Sequence, residues 1–454
     1  MAERPYSSRA ERALTIPAPV SRPAAVRAFG LLPLAFASGV LVDFLTDLWG
    51  TDEIGIIGSY HLHGADIAAF FAVLVLVNGT PRLRQLDAIK AAVLALCLIA
   101  GFSLIRGAFG NPHNALTQFR SRGVVIAYIF MGAFYRESFF RRLKDVGPWI
   151  VAFVVLDASL FFVRVLLGPT VFLSHDTMAY QNVLGLELRP VFTTTVLFFD
   201  LALILVLDRI QRQKRGDRRG QDVAIAWLLI FLILFSRQRT AGLAGFIGVA
   251  TFYLSDSKQV RKHPVAVSVA VGAISLIVAL WLAGVGTYLV RLLPVEFQLS
   301  WTTSATLSMR EEVWTYAIGW RFLNWNWFQK LFGPSAGESL DIFVHGREWL
   351  FSLHSQYVST LMYYGISGAL ALVAIVGSGL REAARHLSKS TVNAFGISGK
   401  VALAWWAIIL TSGYSYEWSN TAGIFAAMTL AAWPRIESAK RYAVNRAHKT
   451  SVRP

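Results

Sequence analysis

The chain has 454 residues, of which 55% are hydrophobic and only 15% charged, and its mean hydropathy is +0.50. That balance excludes a string of water-soluble domains and points to one membrane domain. The net charge of +16 is spread between apolar runs rather than gathered on one face. This distribution argues against nucleic-acid binding and for basic loops beside an anionic leaflet.

Residues 1–27 form a polar, Arg-rich tail. Beyond it, apolar runs recur near 28–49, 64–79, 88–105, 122–140, 146–166, 191–207, 223–235 and 240–255, then near 265–289, 356–378, 400–416 and 419–434. A hydrocarbon core of ~30 Å needs about 20 apolar residues per helix, so the expected fold is an all-α polytopic membrane protein with about twelve transmembrane helices. Ala35-Phe36-Ala37 mimics a signal-peptidase site, but hydrophobicity continues to Trp49 and the first helix is expected to stay uncleaved. Cys97, the single cysteine, lies inside an apolar run, which leaves no disulfide framework and no thiolate metal cluster.

Basic groups from Arg4 to Arg27, Arg82 with Arg84, Arg141 to Lys144, Arg209 to Arg219, Lys258 to Lys262, Arg381 to Lys389 and Lys440 to Arg453 all fall on one side of these runs. Lys and Arg near helix ends favour the cytoplasm, so both termini are expected inside a bacterial cytoplasmic (inner) membrane. The expected organisation is a basic cytoplasmic tail over 1–27, nine helices over 28–290, an extracytoplasmic loop over 291–351, three helices over 352–434 and a second basic cytoplasmic tail over 435–454.

That loop carries Trp301, Trp314, Trp320, Trp325, Trp327 and Trp349, which fit either stacking on sugar faces or a membrane interface. Ser308-Met309-Arg310-Glu311 has capping-box spacing, and Val313, Ala317 and Trp320 repeat at helical intervals, so a short amphipathic helix is predicted there. Gly333-Pro334-Ser335-Ala336-Gly337 reads as a turn, open either to close approach by a ligand or to simple connection.

Three constellations bear on chemistry. Ser236-Arg237-Gln238-Arg239-Thr240 sits between two short apolar stretches at the outer face. Its guanidiniums suit a lipid diphosphate, or they snorkel to phospholipid phosphates. His354 precedes the tenth span, where the helix dipole favours a neutral imidazole able to take a hydroxyl proton; an ordinary interfacial histidine is the alternative, and Ser352 is the expected cap. Asp157 and Asp200 fall in apolar spans with Arg164 as the expected partner of one of them, the kind of residue a proton-coupled transporter uses. There is no Walker lysine loop, His-Glu-x-x-His, Asp-x-Asp pair or Gly-x-Ser-x-Gly elbow, so nucleotide or metal chemistry has no local support and no cofactor is expected.

Ser236 to Gly242, Arg310 to Trp320 followed by Gly333 to Gly337, and His354-Ser355-Gln356-Tyr357 running into Tyr364-Gly365-Ile366-Ser367-Gly368 together resemble the bacterial O-antigen polymerase and O-antigen ligase superfamily (Wzy and WaaL type) of membrane glycosyltransferases. The likeness covers roughly 223–378 and departs at Ser355, where asparagine is common, and at Tyr364, where glutamate is common. The resemblance implies metal-independent transfer of a glycan from an undecaprenyl-diphosphate carrier to an acceptor hydroxyl on the outer face. Arg237, Arg239 and Arg310 would hold the diphosphate, and His354 with Arg239 would be catalytic. The expected activity is a polysaccharide polymerase joining lipid-linked repeat units, with membrane lipids and a chain-length regulator as further partners. The alternatives are a ligase with a different acceptor and a transporter or flippase of lipid-linked glycan.

Overall fold

The computed structural model describes residues 23–51, 53–57, 60–78, 87–135, 143–174, 190–213, 217–236, 238–256, 270–271, 273, 312–340, 343–344, 347–348, 353, 355–387, 391–393, 395–431 and 433. The expected run near 265–289 and both basic tails lie wholly or almost wholly outside these residues. What is described is mostly helical, with α1 Pro23–Trp49, α2 Gly64–Asn78, α3 Ala88–Gly110, α4 Pro112–Phe134, α5 Leu143–Leu167, α6 Thr193–Arg212, α7 Asp217–Phe235 and α8 Arg239–Leu254. A π-helical stretch, Thr315–Phe322, precedes the short α9 Trp327–Phe332, and α10 Gln356–Arg385, α11 Gly399–Ser415 and α12 Asn420–Leu430 follow. Two small antiparallel hairpins, β1 Glu53–Ile57 with β2 Tyr60–His63 and β3 Phe343–Val344 with β4 Arg347–Glu348, were not expected from the apolar pattern.

Helix boundaries follow capping chemistry more closely than hydropathy. Asn111 ends α3 and its side chain accepts from Asn114 N to open α4, with Pro112 in the first turn. The helix expected at 122 thus begins at Pro112, because its first half is too polar to register as an apolar run while an Asn cap and an early proline favour helix initiation. Ser355, not Ser352, caps α10 by accepting from Val358 N; Ser398 and Ser419 do the same for α11 and α12.

α11 and α12 form the centre: residues 401–414 and 420–431 are buried throughout. α12 lies beside α4 and α1, and α11 lies beside α8, α10 and α6. The α8–α11 pair is antiparallel, since Lys400 at the start of α11 pairs with Asp256 at 2.9 Å and places Nζ 3.9 Å from the Phe252 ring near the end of α8. Peripheral helices turn large apolar side chains outward, among them Val77, Ile105, Phe109, Leu166, Trp227 and Phe246. Such a surface matches lipid rather than water. Three helices, Ala88–Gly110, Val146–Leu167 and Gln356–Arg385, are long and apolar enough to cross a membrane, and Gly64–Asn78, Arg122–Phe134 and Thr240–Leu254 are shorter apolar helices.

Arg164 does not pair with Asp157 or Asp200. Only 1% exposed, it bonds Asp47 instead, with Nη1 at 2.9 Å from Oδ1. The remaining N–H groups donate to Asp47 O, Leu48 O, Val171 O and Pro190 O. The Asp47 carboxylate also accepts from Phe192 N and Thr195 Oγ1. The pairing with Asp47 was hidden because the partner comes from α1 and the remaining acceptors are backbone carbonyls. Breaking one side of such a buried pair costs about 3–5 kcal/mol. Arg164→Ala and Asp47→Ala are each expected to lower the unfolding temperature of the detergent-solubilised protein markedly, with Arg164→Lys intermediate, as measured by thermal denaturation.

Candidate functional site

Of the predicted site residues, Arg237, Arg310 and His354 lie outside the described residues, and Arg239 is described as the first residue of α8. Their chain neighbours are described, and these show where each segment is held. Gln238, just before α8, accepts from Thr193 Oγ1 at 3.0 Å and donates to Val191 O at 3.0 Å, which fixes the α7–α8 turn to the start of α6. Ser236 Oγ donates to Ile233 O and accepts from Gln238 N, closing the turn locally.

The segments flanking Arg310 and His354 meet. Trp314 donates its indole N–H to Leu353 O at 2.6 Å, and its ring packs edge-on against Tyr414 at the end of α11, with centroids 5.1 Å apart. Val313, Ala317, Trp325, Leu353 and Met362 form a small satellite core under this contact. Val313 and Ala317 are buried as the predicted stripe requires, but Trp320 is half-exposed. The reason is the π-helix: i→i+5 bonding turns residue 320 away from the face that 313 and 317 share. Because α8 and α11 run antiparallel, the beginning of α8 is level with the end of α11, so the three motif-bearing segments lie at one end of the bundle.

The Gly333–Gly337 turn is built into the same end. Gly333 (φ 74°, ψ 174°) and Gly365 (φ 65°, ψ −167°) both adopt backbone conformations that are essentially restricted to glycine, and Gly365 breaks the regular geometry of α10. They stand backbone to backbone: a Cβ on Gly333 would strike Tyr363 O, and one on Gly365 would strike Leu331 and Gly333 N. From the other side, Arg106 Nη2 donates to Gly333 O at 2.9 Å and to Pro334 O at 2.8 Å, while Ser103 Oγ donates to Pro334 O at 3.0 Å. Ala336 N donates to Ser103 O, and Gly337 N donates to Gln118 Oε1 at 2.6 Å. The turn is therefore a packed structural joint between α3, α4 and α10.

Arg122 of α4 was not anticipated, nor was its partner. Its guanidinium carbon lies 3.7 Å from the Tyr363 ring centroid, Nη2 is 3.2 Å from Glu417 Oε2 and Nη1 donates to Gln118 O. Glu417 Oε1 accepts from Ser359 Oγ at 2.6 Å. The available signal was an arginine at the edge of an apolar run, a position that is costly unless partnered. Arg106 carried the same signal at the end of α3. Among the described residues, no group of three or more His, Cys, Asp or Glu side chains is placed to hold a metal ion.

Neither family models nor curated proteins match the chain. The likeness to the O-antigen superfamily accordingly rests on the motif residues and their order.

An alanine at 365 or 333 adds about 1–3 kcal/mol of backbone strain before any steric clash. Gly365→Ala and Gly333→Ala are expected to loosen the joint and to speed tryptic cleavage after Lys330 about tenfold. Gly377→Ala, with open space around its added Cβ, is expected to leave the cleavage rate unchanged.

Proposed function

We propose that this chain is a polysaccharide polymerase of the bacterial cytoplasmic membrane, with about twelve spans, both termini inside and its site facing outward. It transfers a glycan from an undecaprenyl-diphosphate carrier to a hydroxyl of an acceptor lipid-linked repeat unit. The observation that carries this reading is the Trp314–Leu353 hydrogen bond, which brings the chain beside Arg310 to the chain beside His354 at the end of the bundle where α8 begins. A diphosphate leaving group and a hydroxyl acceptor must be held together for such a reaction, and positioning supplies much of its acceleration.

In the proposed mechanism Arg239 and Arg310, with Arg237 beside them, hold the diphosphate and stabilise the charge that grows as the sugar–phosphate bond breaks. His354 orients the acceptor hydroxyl and takes its proton as the new glycosidic bond forms. The electron pair of the broken bond leaves with the diphosphate. A ligase would use the same chemistry with another lipid or protein as acceptor.

Transport of a lipid-linked glycan is the second reading, and one observation favours it. Asp200 is 1% exposed, and neither of its carboxylate oxygens has a hydrogen-bond partner among the described residues; Asp157 Oδ1 is likewise unbonded. Ionisable groups in such surroundings often serve ion or substrate pathways.

Purified protein with a defined undecaprenyl-diphosphate oligosaccharide separates the readings. A ladder of products is expected; a single transfer to an added acceptor would indicate a ligase, and no turnover would count against both. Arg239→Ala and His354→Ala are each expected to cut product formation by about 10²–10³ without changing the amount of protein in the membrane. Asp157→Asn and Asp200→Asn are expected to leave product formation intact, whereas their loss of glycan movement alongside normal arginine and histidine variants would favour transport.

A further inference from the structure

A cavity of about 60 Å³ lies between α4, α10 and the segment that leads into α12. Arg122, Gln356, Ser359, Thr360, Glu417 and Trp418 supply one wall, and Tyr364 with aliphatic side chains of α3, α4 and α10 closes the rest. A water-sized group needs ~10–15 Å³ of such space, so the cavity admits a few hydroxyl-sized groups. It fits one edge of a sugar ring and not an oligosaccharide.

The wall chemistry narrows the ligand. Arg122 and Glu417 form an ion pair at 3.2 Å, each about four-fifths buried. The paired guanidinium leaves no excess charge to hold an isolated cation or anion, and the carboxylate repels a phosphate. Among the described residues Arg122 Nε and Trp418 Nε1 have no hydrogen-bond partner, but both are enclosed by protein, the indole nitrogen against Gly413, so the guanidinium reaches the cavity through its Nη groups. Ser359 and Thr360 add hydroxyls, and Gln356 holds the wall in shape by accepting from Trp418 N at 2.9 Å and donating to Thr360 Oγ1 at 3.1 Å. Neutral hydroxyls suit this arrangement because each can donate to a carboxylate and accept from a guanidinium N–H. An indole adds an apolar face for a ring's C–H groups. Gln356 is also two residues from His354 in the chain.

We propose that this cavity is the acceptor-sugar subsite: it receives the hydroxyl-bearing edge of a pyranose, with Arg122 and Glu417 as specificity-determining residues. The proposal rests on the glycosyl-transfer reading above.

The test uses the full chain in detergent and, as probe, the oligosaccharide freed by mild acid from lipid-linked repeat units of cells lacking this protein. Titration calorimetry is expected to show saturable binding to the wild type and to His354→Ala. Glu417→Gln and Arg122→Lys are expected to weaken binding at least tenfold and Trp418→Phe about threefold, while Glu382→Gln at the far end of α10 leaves it unchanged. Unfolding curves establish that each variant is folded. Equal binding by wild type and Glu417→Gln overturns the proposal, as does the absence of saturable binding to the wild type, which would mean a cavity that holds water only. Binding as expected without transfer defeats the enzymatic reading and leaves the subsite standing. Transfer in which Glu417→Gln leaves the acceptor KM unchanged defeats the subsite and leaves the enzyme standing.

Discussion

A guanidinium inside an apolar bundle has no water to satisfy it, so Arg164 decides where α1, α5 and α6 meet. Its acceptors come from the end of α1, the chain after α5 and the chain before α6, and each fixes a position along the bundle axis. Asp43 repeats the device by accepting from Asn420 Nδ2 at 3.0 Å and Thr421 N at 2.7 Å, which ties α1 to the start of α12. Arg122 with Glu417 and Gln238 with Thr193 do the same for α4 and α8. Leaving such a group unsatisfied costs about 1–3 kcal/mol when it is neutral and more when it is charged. Aliphatic packing discriminates much less between one register and the next, because lipid tails are as apolar as the helix faces. The polar contacts at this end therefore align segments that are far apart in sequence.

The opposite end shows the same principle with a different residue. Asn393 accepts from Phe395 N and Ile397 N and donates to Met428 O at 2.7 Å, so the loop before α11 also fastens the end of α12. Between the two ends the contacts are apolar, with Trp405 and Trp406 fully buried on α11. Trp405 and Tyr128 are exceptions useful for register: the indole donates to Leu201 O in α6 at 2.9 Å and the phenol to Ala35 O in α1 at 2.8 Å.

Helices were legible in the sequence wherever an apolar run was long, but their caps were less so: Ser352 was expected where Ser355 caps α10. Hydropathy alone truncates α4 because it does not register a polar first half, although an Asn cap and Pro112 mark the true start. The Gly333–Gly337 turn was readable from its glycines and proline, but the Gly365 break inside an expected span was not, nor that the two would face each other. Arg122 and Glu417 were beyond reach for a plain reason. They are 295 residues apart, and nothing local to either one names the other. The Arg164 pairing failed similarly, since Asp157 is nearer in sequence and Asp47 is nearer in space.

The shortness of α12 shapes this end of the molecule. α11 has 17 residues and α12 has 11, so at 1.5 Å per residue they rise about 25 Å and about 16 Å. Asn393 sets their lower ends close together. The chain leaving α11 must consequently descend by about 9 Å through residues 416–419 before α12 begins. Non-helical backbone at such depth is tolerated only when protein surrounds it. Glu417 stands in that descending segment, four-fifths buried. Its charge is poorly screened there and acts over a greater distance than it would in bulk water.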